Sequence, residues 1–286
     1  MTPQKIAVII TAHSNPTQLL RLCKYLAQEF DVYLHLDMAS KLEPDDFLVS
    51  PRISVQKKFR CDWGNPGILH ATLSLLSLAE SNSPGYDRYV MISGQDVPLK
   101  SNSQIRKLFE SYPDENFMDC RKVQPDEKLM SRVSQFHWKP ANKSRGISWL
   151  IRVLVSRTLS MVQYFLPPRR SDYEIYFGEC WMDLTGKTVR EILELVNMTP
   201  EFLARFRHTL IPEEMFLHTA THLLGAEICG TGGLLRYIDW TTGPEHPRTL
   251  RMDDLENLSN SNALFARKLD EKVDSELIEN LYARLN

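Results

Sequence analysis

The groups in this sequence that could do chemistry are few and well separated. Glu213 and Glu214 follow Pro212 in IPEEMFLHT, Arg267 and Lys268 stand side by side in LFARKLD, and His13, Asp37 and Asp96 each close an apolar run. A carboxylate at a cleft can take a proton from an attacking hydroxyl, and cations in a packed site can hold an anion. Adjacent residues on a helix point about 100° apart, so Glu213 and Glu214 do not read as the facing carboxylate pair of a glycoside hydrolase. Each residue also has a plain structural reading. Carboxylates in a first helical turn are favoured by the macrodipole, and Arg267 and Lys268 can be satisfied at the surface by Asp253, Asp254, Asp270 or Glu271. The apolar Leu264, Phe265 and Leu269 argue that this link between two short helical pieces is packed down.

The elements that must position these residues can be read from pattern. KIAVIITAH is a short β-branched run, as a buried parallel strand is, and a helix is expected at once after it. Asn15 is placed to cap that helix, Pro16 suits its first position, Gln18 completes a capping-box-like pattern, and Leu19, Cys23, Leu26 and Phe30 recur along one side. VYLHLD, RISVQKKF and RYVMISGQDVPLK read as further strands and GILHATLSLLSLAE as a helix. This alternation implies βαβ units and a mostly parallel sheet, whose ligands bind beyond the carboxyl ends of the strands. That rule singles out His13, Asp37 and Asp96, although Asp96 in SGQDVPLK also suits a tight turn before Pro98. Farther on, HTLIPEEMFLHTATHLL predicts a turn and a helix with Glu213 and Glu214 in its first turn, Glu214 sharing a face with His218. RYIDW reads as a strand, a Gly/Pro loop leads to Arg248 and Arg251, and SELIENLYARL closes the chain as a helix.

Composition sets the limits. The chain has 286 residues, 43% hydrophobic and 24% charged, enough for a substantial core in one large α/β domain or two small ones. With 34 basic and 36 acidic residues there is no basic field to recruit nucleic acid, so any anion must be held locally. Five scattered cysteines and an N-terminus without a signal-peptide pattern give the expectation of a cytoplasmic protein. No glycine-rich dinucleotide loop, P-loop, paired-cysteine metal motif or nucleophile elbow occurs, and there is no Asp-x-Asp. The segment from Ser144 to Arg170 is strongly apolar, but Arg152 and Arg157 interrupt it, and its uncharged run falls short of the ~20 residues that span a bilayer. Two readings remain: a buried or partner-facing helix, favoured because the two arginines lie about 140° apart and define no single polar face, or a helix lying at the inner face of a membrane.

Taken in order, KIAVIITAHSNPTQLLRL, VYLHLD, CDWGNPGILHATLSLL, RYVMISGQDVPLKS, IPEEMFLHT, RYIDW and LFARKLD resemble the core-2/I-branching β-1,6-N-acetylglucosaminyltransferase family, glycosyltransferase family 14, which includes the peptide O-xylosyltransferases. The resemblance runs from about residue 5 to about residue 285. It implies a single GT-A-type domain with a Rossmann-like sheet, residues 1–105 forming the nucleotide half and 106–286 the acceptor and catalytic half. It also implies inverting transfer from a UDP-sugar, N-acetylglucosamine first and xylose or another hexose as alternatives, to a glycan or lipid-linked saccharide. A catalytically silent sugar-nucleotide or glycan-binding protein of the same fold is the reading from another class. Carried over residue by residue, Asp37 contacts the uridine, His13 lines the same pocket, Arg60 falls at a donor-contacting position, and Asp96 lies near the donor sugar. Glu214 is the catalytic base, and Lys268 with Arg248, or Arg251 in its place, holds the diphosphate; Arg267 receives no role. Two cations in place of a divalent ion make metal independence the expectation, with no cofactor. Glu213 stands where members often have Asp and Leu269 where Phe is usual, and residues 115–176 match poorly, so the acceptor is not carried over.

Overall fold

The computed structural model of the protein describes residues 3–137, 147–162, 167–228, 233–243 and 246–285. The first strand, β1 (Ile6–Ala12), is almost wholly buried, as its uninterrupted apolar run requires. Helix α1 (Pro16–Leu26) follows and returns the chain to β2 (Asp31–Leu36) and then β3 (Ile53–Gln56). Helix α2 (Gly67–Asn82) crosses to β4 (Arg88–Ser93), all six of whose side chains are buried. The main sheet has the order β3-β2-β1-β4 in parallel, extended by an antiparallel strand, β8 (Asp183–Thr185). The expectation of a mostly parallel, Rossmann-like sheet flanked by helices is met.

Between β4 and β8 the chain forms β5 (Val97–Pro98), α3 (Asn102–Ser111), β6 (Arg121–Lys122), the short α4 (Ser131–Ser134), α5 (Ile147–Val162) and β7 (Tyr176–Phe177), which pairs with β6. After β8 come α6 (Gly186–Met198), α7 (Pro200–Arg205), α8 (Phe216–Leu223), β9 (Arg236–Ile238), α9 (Leu255–Asn260), β10 (Phe265–Arg267) and α10 (Ser275–Ala283). One apolar layer sets Leu19, Leu22, Leu26, Ile105 and Phe109 against the sheet, and a second sets residues of α2, α6 and α8 among others of the sheet. A third, smaller core joins Val97, Ala266 and Leu269 to α10.

Several local expectations are corrected. Asn15 does not cap α1 with its side chain; it adopts a left-handed backbone at φ 56°, which Asn tolerates better than most residues. The Gln18 amide N–H instead donates to Glu271 Oε2 at 2.8 Å, and the Gln18 side chain exchanges hydrogen bonds with Leu269 O and Glu271 N. The residue expected to cap its own helix therefore ties that helix to the segment after β10. LFARKLD is likewise no link between helical pieces: Phe265 to Arg267 form the middle strand of a three-stranded sheet, antiparallel to β5 and parallel to β9. Glu213 and Glu214 lie on a separate 3₁₀ turn (Pro212–Glu214), so Glu214 is not on α8 with His218. Ile211, at φ 54°, and Met215, at φ −132°, bracket that turn and keep it from continuing into the helix.

The small sheet is locked to the large one by a fully buried ion pair. Arg236 of β9 donates from Nη1 to Asp183 Oδ2 at 2.9 Å and from Nη2 to Asp183 Oδ1 at 2.6 Å, and Nη2 also reaches Met91 O. Such a two-pronged pair fixes β4, β8 and β9 relative to one another. The carboxyl end of β10 is thereby held near the carboxyl edge of the main sheet.

Candidate active site

A cleft opens at that edge. Thr11, Ala12, His13 and Ser14 line it from the end of β1, Asp37 from the end of β2, and Ser93, Gly94 and Gln95 from the end of β4. This is where the topology of a parallel sheet puts a ligand. A side chain at Gly94 would bring a Cβ within 2.8 Å of the Ala12 Cβ, so the two strand ends can approach this closely only with glycine there.

The wall opposite His13 is built by the loop after β3. His35 is fully buried, and burial lowers its pKa to about 4. Its Nε2 accepts from Phe59 N at 3.0 Å and Lys58 N at 3.3 Å, which pins the loop. Asp37 Oδ1 accepts from Ala39 N at 2.8 Å and Cys61 N at 3.3 Å, bringing Cys61 and Trp63 to the cleft.

The far end of the cleft is closed by Arg267 and Trp181. Arg267 is 9% exposed, its guanidinium carbon lies 4.2 Å from the Trp181 ring centroid, and its Nη1 stands 3.6 Å from Asp96 Oδ2 with no hydrogen-bond partner. Asp96 is fully buried beneath the cleft, where it accepts from the Ser93 amide at 2.7 Å and from the Ser93 hydroxyl. It stands as a counter-charge under Arg267, not as a lining group.

Glu214 does not line the cleft itself; its turn adjoins the Gly178–Trp181 segment. Gly178 N donates to Glu214 O at 3.0 Å, and a Cβ on Gly178 would come within 1.8 Å of Asp119 O and 2.8 Å of His218 Nε2. The segment therefore packs tightly between the glutamate turn and the 119 region. His218 Nε2 lies 3.1 Å from Glu179 O. Arg132 of α4 donates to Glu214 Oε2 at 2.8 Å. Burial raises the Glu214 pKa against the lowering effect of Arg132. Burial pushes Glu213 up to about 8, with Glu214 adding to the rise. Glu179 is pushed to about 7 by burial and by Glu214, while Arg267 opposes the rise. Glu179 thus feels both Glu214 and Arg267.

The other expected residues fall elsewhere. Arg60 pairs through Nε with Asp62 at 2.8 Å and borders a separate hollow with His70 and Arg207. Arg248 is held by two carboxylates, Asp239 and Asp254, each at 2.6 Å from Nη2. The competing Arg251 is exposed, at the start of the 3₁₀ turn before α9. Lys268 follows Arg267, half-buried, with its carbonyl accepting from Leu250 N at 2.9 Å. Neither Arg248, Arg251 nor Lys268 lines the cleft. Arg267 does, and it is neither a surface residue nor a partner of Asp253, Asp254, Asp270 or Glu271.

Residues 6–262 match the family described as Core-2/I-Branching enzyme. The chain belongs to that family. The match ends before LFARKLD, so the Arg267 strand lies beyond it. Among curated proteins, this chain is 24% identical to a beta-glucuronosyltransferase, GlcAT14B, of Arabidopsis thaliana over 96% of its own length and 66% of the relative's. It is 23% identical to a xylosyltransferase of Ciona intestinalis, covering 99% of this chain and 34% of that protein. It is 24% identical to a human N-acetyllactosaminide beta-1,6-N-acetylglucosaminyl-transferase, covering 93% and 68%. The chain thus spans between a third and about two thirds of the length of these relatives. A solved glycosyltransferase involved in the glycosylation of the major capsid of PBCV-1 aligns at 9% identity over 97% of this chain and 99% of that one, with a TM-score of 0.35.

Three residues of this candidate site escape sequence reasoning. Trp181 and Glu179 sit in GECW, where no periodicity marks them, and Arg132 lies in the poorly matching region. Arg267 was visible, but its strand partners are about 30 and 170 residues away, so nothing local says which of two adjacent cations turns inward.

Proposed function

We propose that this protein is an inverting glycosyltransferase that moves an uncharged sugar, N-acetylglucosamine in the first reading, from a UDP donor to a hydroxyl of a glycan or lipid-linked saccharide, without a divalent metal. The observation that supports the reading is a cleft at the strand ends lined by His13, Asp37 and Arg267, with the Glu214 turn hydrogen-bonded to Gly178 of the segment that also brings Trp181 to that cleft. Single displacement needs a base on one side of the anomeric carbon and charge stabilisation for the leaving group on the other. In this reading His13 and Asp37 hold the uridine end, Arg267 meets the departing diphosphate, with Lys268 adding charge, and Glu214 takes the acceptor proton. A unit charge at ~4 Å is worth about 4 kcal/mol at an effective dielectric of 20, so two cations can stand in for a divalent ion. Arg132 orients Glu214 as its positioning partner.

The relatives named above use different sugars, and the carboxyl groups beside the cleft favour a neutral one. Glu214 already raises the proton affinity of both Glu179 and Glu213, and a glucuronate carboxylate placed near them adds further repulsion. Xylose, also uncharged, is the second reading on the same ground.

The test is UDP release from UDP-N-acetylglucosamine, UDP-xylose and UDP-glucuronate with excess EDTA. Turnover of a neutral donor that survives chelation is expected; dependence on added metal overturns the two-cation account, and preference for UDP-glucuronate overturns the neutral-sugar account. Glu214→Gln is expected to lower turnover roughly 10²- to 10⁴-fold while UDP still binds. Tight UDP binding with neither transfer nor slow hydrolysis in the wild type would mark a silent binding protein instead.

A further inference from the structure

Helix α5 is out of keeping with the rest of the surface. Leu150, Ile151, Leu154, Val155, Met161 and Val162 are all large, apolar and exposed, with Leu154 at 67% and Met161 at 69%. The reading of this segment as buried does not hold within this chain. Monomeric surfaces scatter such residues singly, and six on one helix need an explanation.

The stripe is continuous and bordered by cations. At 100° per residue the six side chains fall within an arc of about 140°, in which Thr158 is the intervening polar residue. Arg157 comes about 20° outside one edge and Arg152, by its sequence position, about 60° outside the other. The 140° between the two arginines is thus the arc opposite the stripe, and one cation follows each edge of the stripe. The wider segment repeats the pattern, because between Glu127 and Asp172 the sequence has nine Lys and Arg residues and neither Asp nor Glu, in a chain whose net charge is −2. Among the described residues no helix is long and apolar enough to cross a membrane.

We propose that α5 docks on an anionic lipid surface, its apolar stripe entering the acyl boundary and the exposed Arg157 at its edge meeting phosphate headgroups. An apolar arc edged by long basic side chains, within an acid-free stretch, is what burial at such an interface selects. A protein partner with an apolar groove would satisfy the stripe but gives no reason for the exclusion of acids across the whole segment. The chain beyond α5 returns to the candidate site at Arg169. Arg169 N donates to Ser134 O of α4 at 2.7 Å, and Arg132 of α4 holds Glu214. A docked α5 would bring the base toward an acceptor carried in the same membrane.

The experiment is vesicle flotation of the full chain with phosphatidylcholine alone and with phosphatidylcholine containing phosphatidylglycerol. Binding to the anionic vesicles is expected, at least tenfold weaker in 1 M salt, where the Debye length is about 3 Å, and weaker again on the neutral vesicles. Leu150→Glu, Leu154→Glu and Met161→Glu combined should abolish flotation without changing the circular dichroism or the melting temperature, since these side chains are exposed. Failure to float on anionic vesicles overturns the proposal, as does flotation that the triple variant leaves intact. A concentration-dependent dimer that the triple variant splits also overturns it, showing that the stripe pairs two copies.

Discussion

Two regions of this molecule hold ionised groups in opposite ways. In the loop after β9, Arg248 is saturated: Asp239 and Asp254 each approach it to 2.6 Å, Arg251 N donates to Asp254, and Thr241 N donates to Asp239. The hydrogen bonds from Thr241 and Arg248 hold the Asp239 carboxyl down at about 2, and Asp254 is lowered too. At the cleft the reverse obtains. Arg267 has an Nη1 without a hydrogen bond, Glu213 has an Oε2 without one, and Glu179 and Glu213 are pushed up to about 7 and about 8. The first pattern belongs to charges that satisfy one another; the second belongs to charges packed into a wall and left short of partners, which is how groups that act on a ligand are kept.

The largest effect that can break this comparison concerns the two arginines. Arg267→Ala should weaken UDP binding roughly 10- to 100-fold, the range expected when a charged hydrogen bond worth about 1.5–3 kcal/mol is lost. Its melting temperature should fall as well, since Asp96 is left buried with only its hydrogen bonds from Ser93 and without its counter-charge. Arg248→Ala should leave UDP affinity nearly unchanged and lower only the melting temperature, by roughly 2–4 °C, as Asp239 and Asp254 lose their shared cation. Calorimetric titration of UDP and a thermal melt of each variant decide it. If Arg248→Ala removes UDP binding and Arg267→Ala does not, the assignment from sequence resemblance is the right one.

That contrast also marks how far the sequence could be read. β1, β2, β4, α1 and α2 are legible because each is a run long enough for its period to speak, and with them the strand-end positions of His13 and Asp37. β10 has three residues, too few for a period, and its partners come from distant parts of the chain. A reading by local pattern therefore sees two cations in an apolar stretch but cannot say which one the sheet turns into the cleft. Gln18 fails in the same way, since Glu271, 253 residues away, takes the amide N–H that a local cap was expected to satisfy. Glu179 is invisible for a different reason: its chemistry is set by burial beside Glu214 and Arg267, neither of which is near it in sequence.

A smaller effect sharpens the comparison on the carboxylate side. Arg132 is the group that lowers Glu214 against burial. A base must be ionised to accept a proton, so the acid limb of the pH profile of kcat/KM should follow the carboxyl that burial has raised above its ordinary value. Arg132→Ala removes the opposing cation, and that limb should move to higher pH. A change in KM alone, with the limb in place, would mean that Arg132 acts on the acceptor and not on the base.

The smallest effect is on stability, and its sign follows from Glu213. A carboxyl whose folded value is raised to about 8 from an ordinary 4.5 binds more protons folded than unfolded throughout that window, so stability falls as pH rises across it. His35 and His218, lowered by burial to about 4, act in the other direction, their contribution being lost as pH falls from 6.5 toward 4. The two influences overlap below 6.5, and above it Glu213 acts with its raised neighbours Glu179 and Glu214 and without the histidines. Glu213→Gln keeps the shape and removes the charge. It should therefore melt above the wild type at pH 8 and beyond, with the difference shrinking as pH is lowered toward 4.5. A difference independent of pH would mean that Glu213 titrates as an ordinary carboxylate, and the cleft wall would then hold its charges no differently from the Arg248 loop.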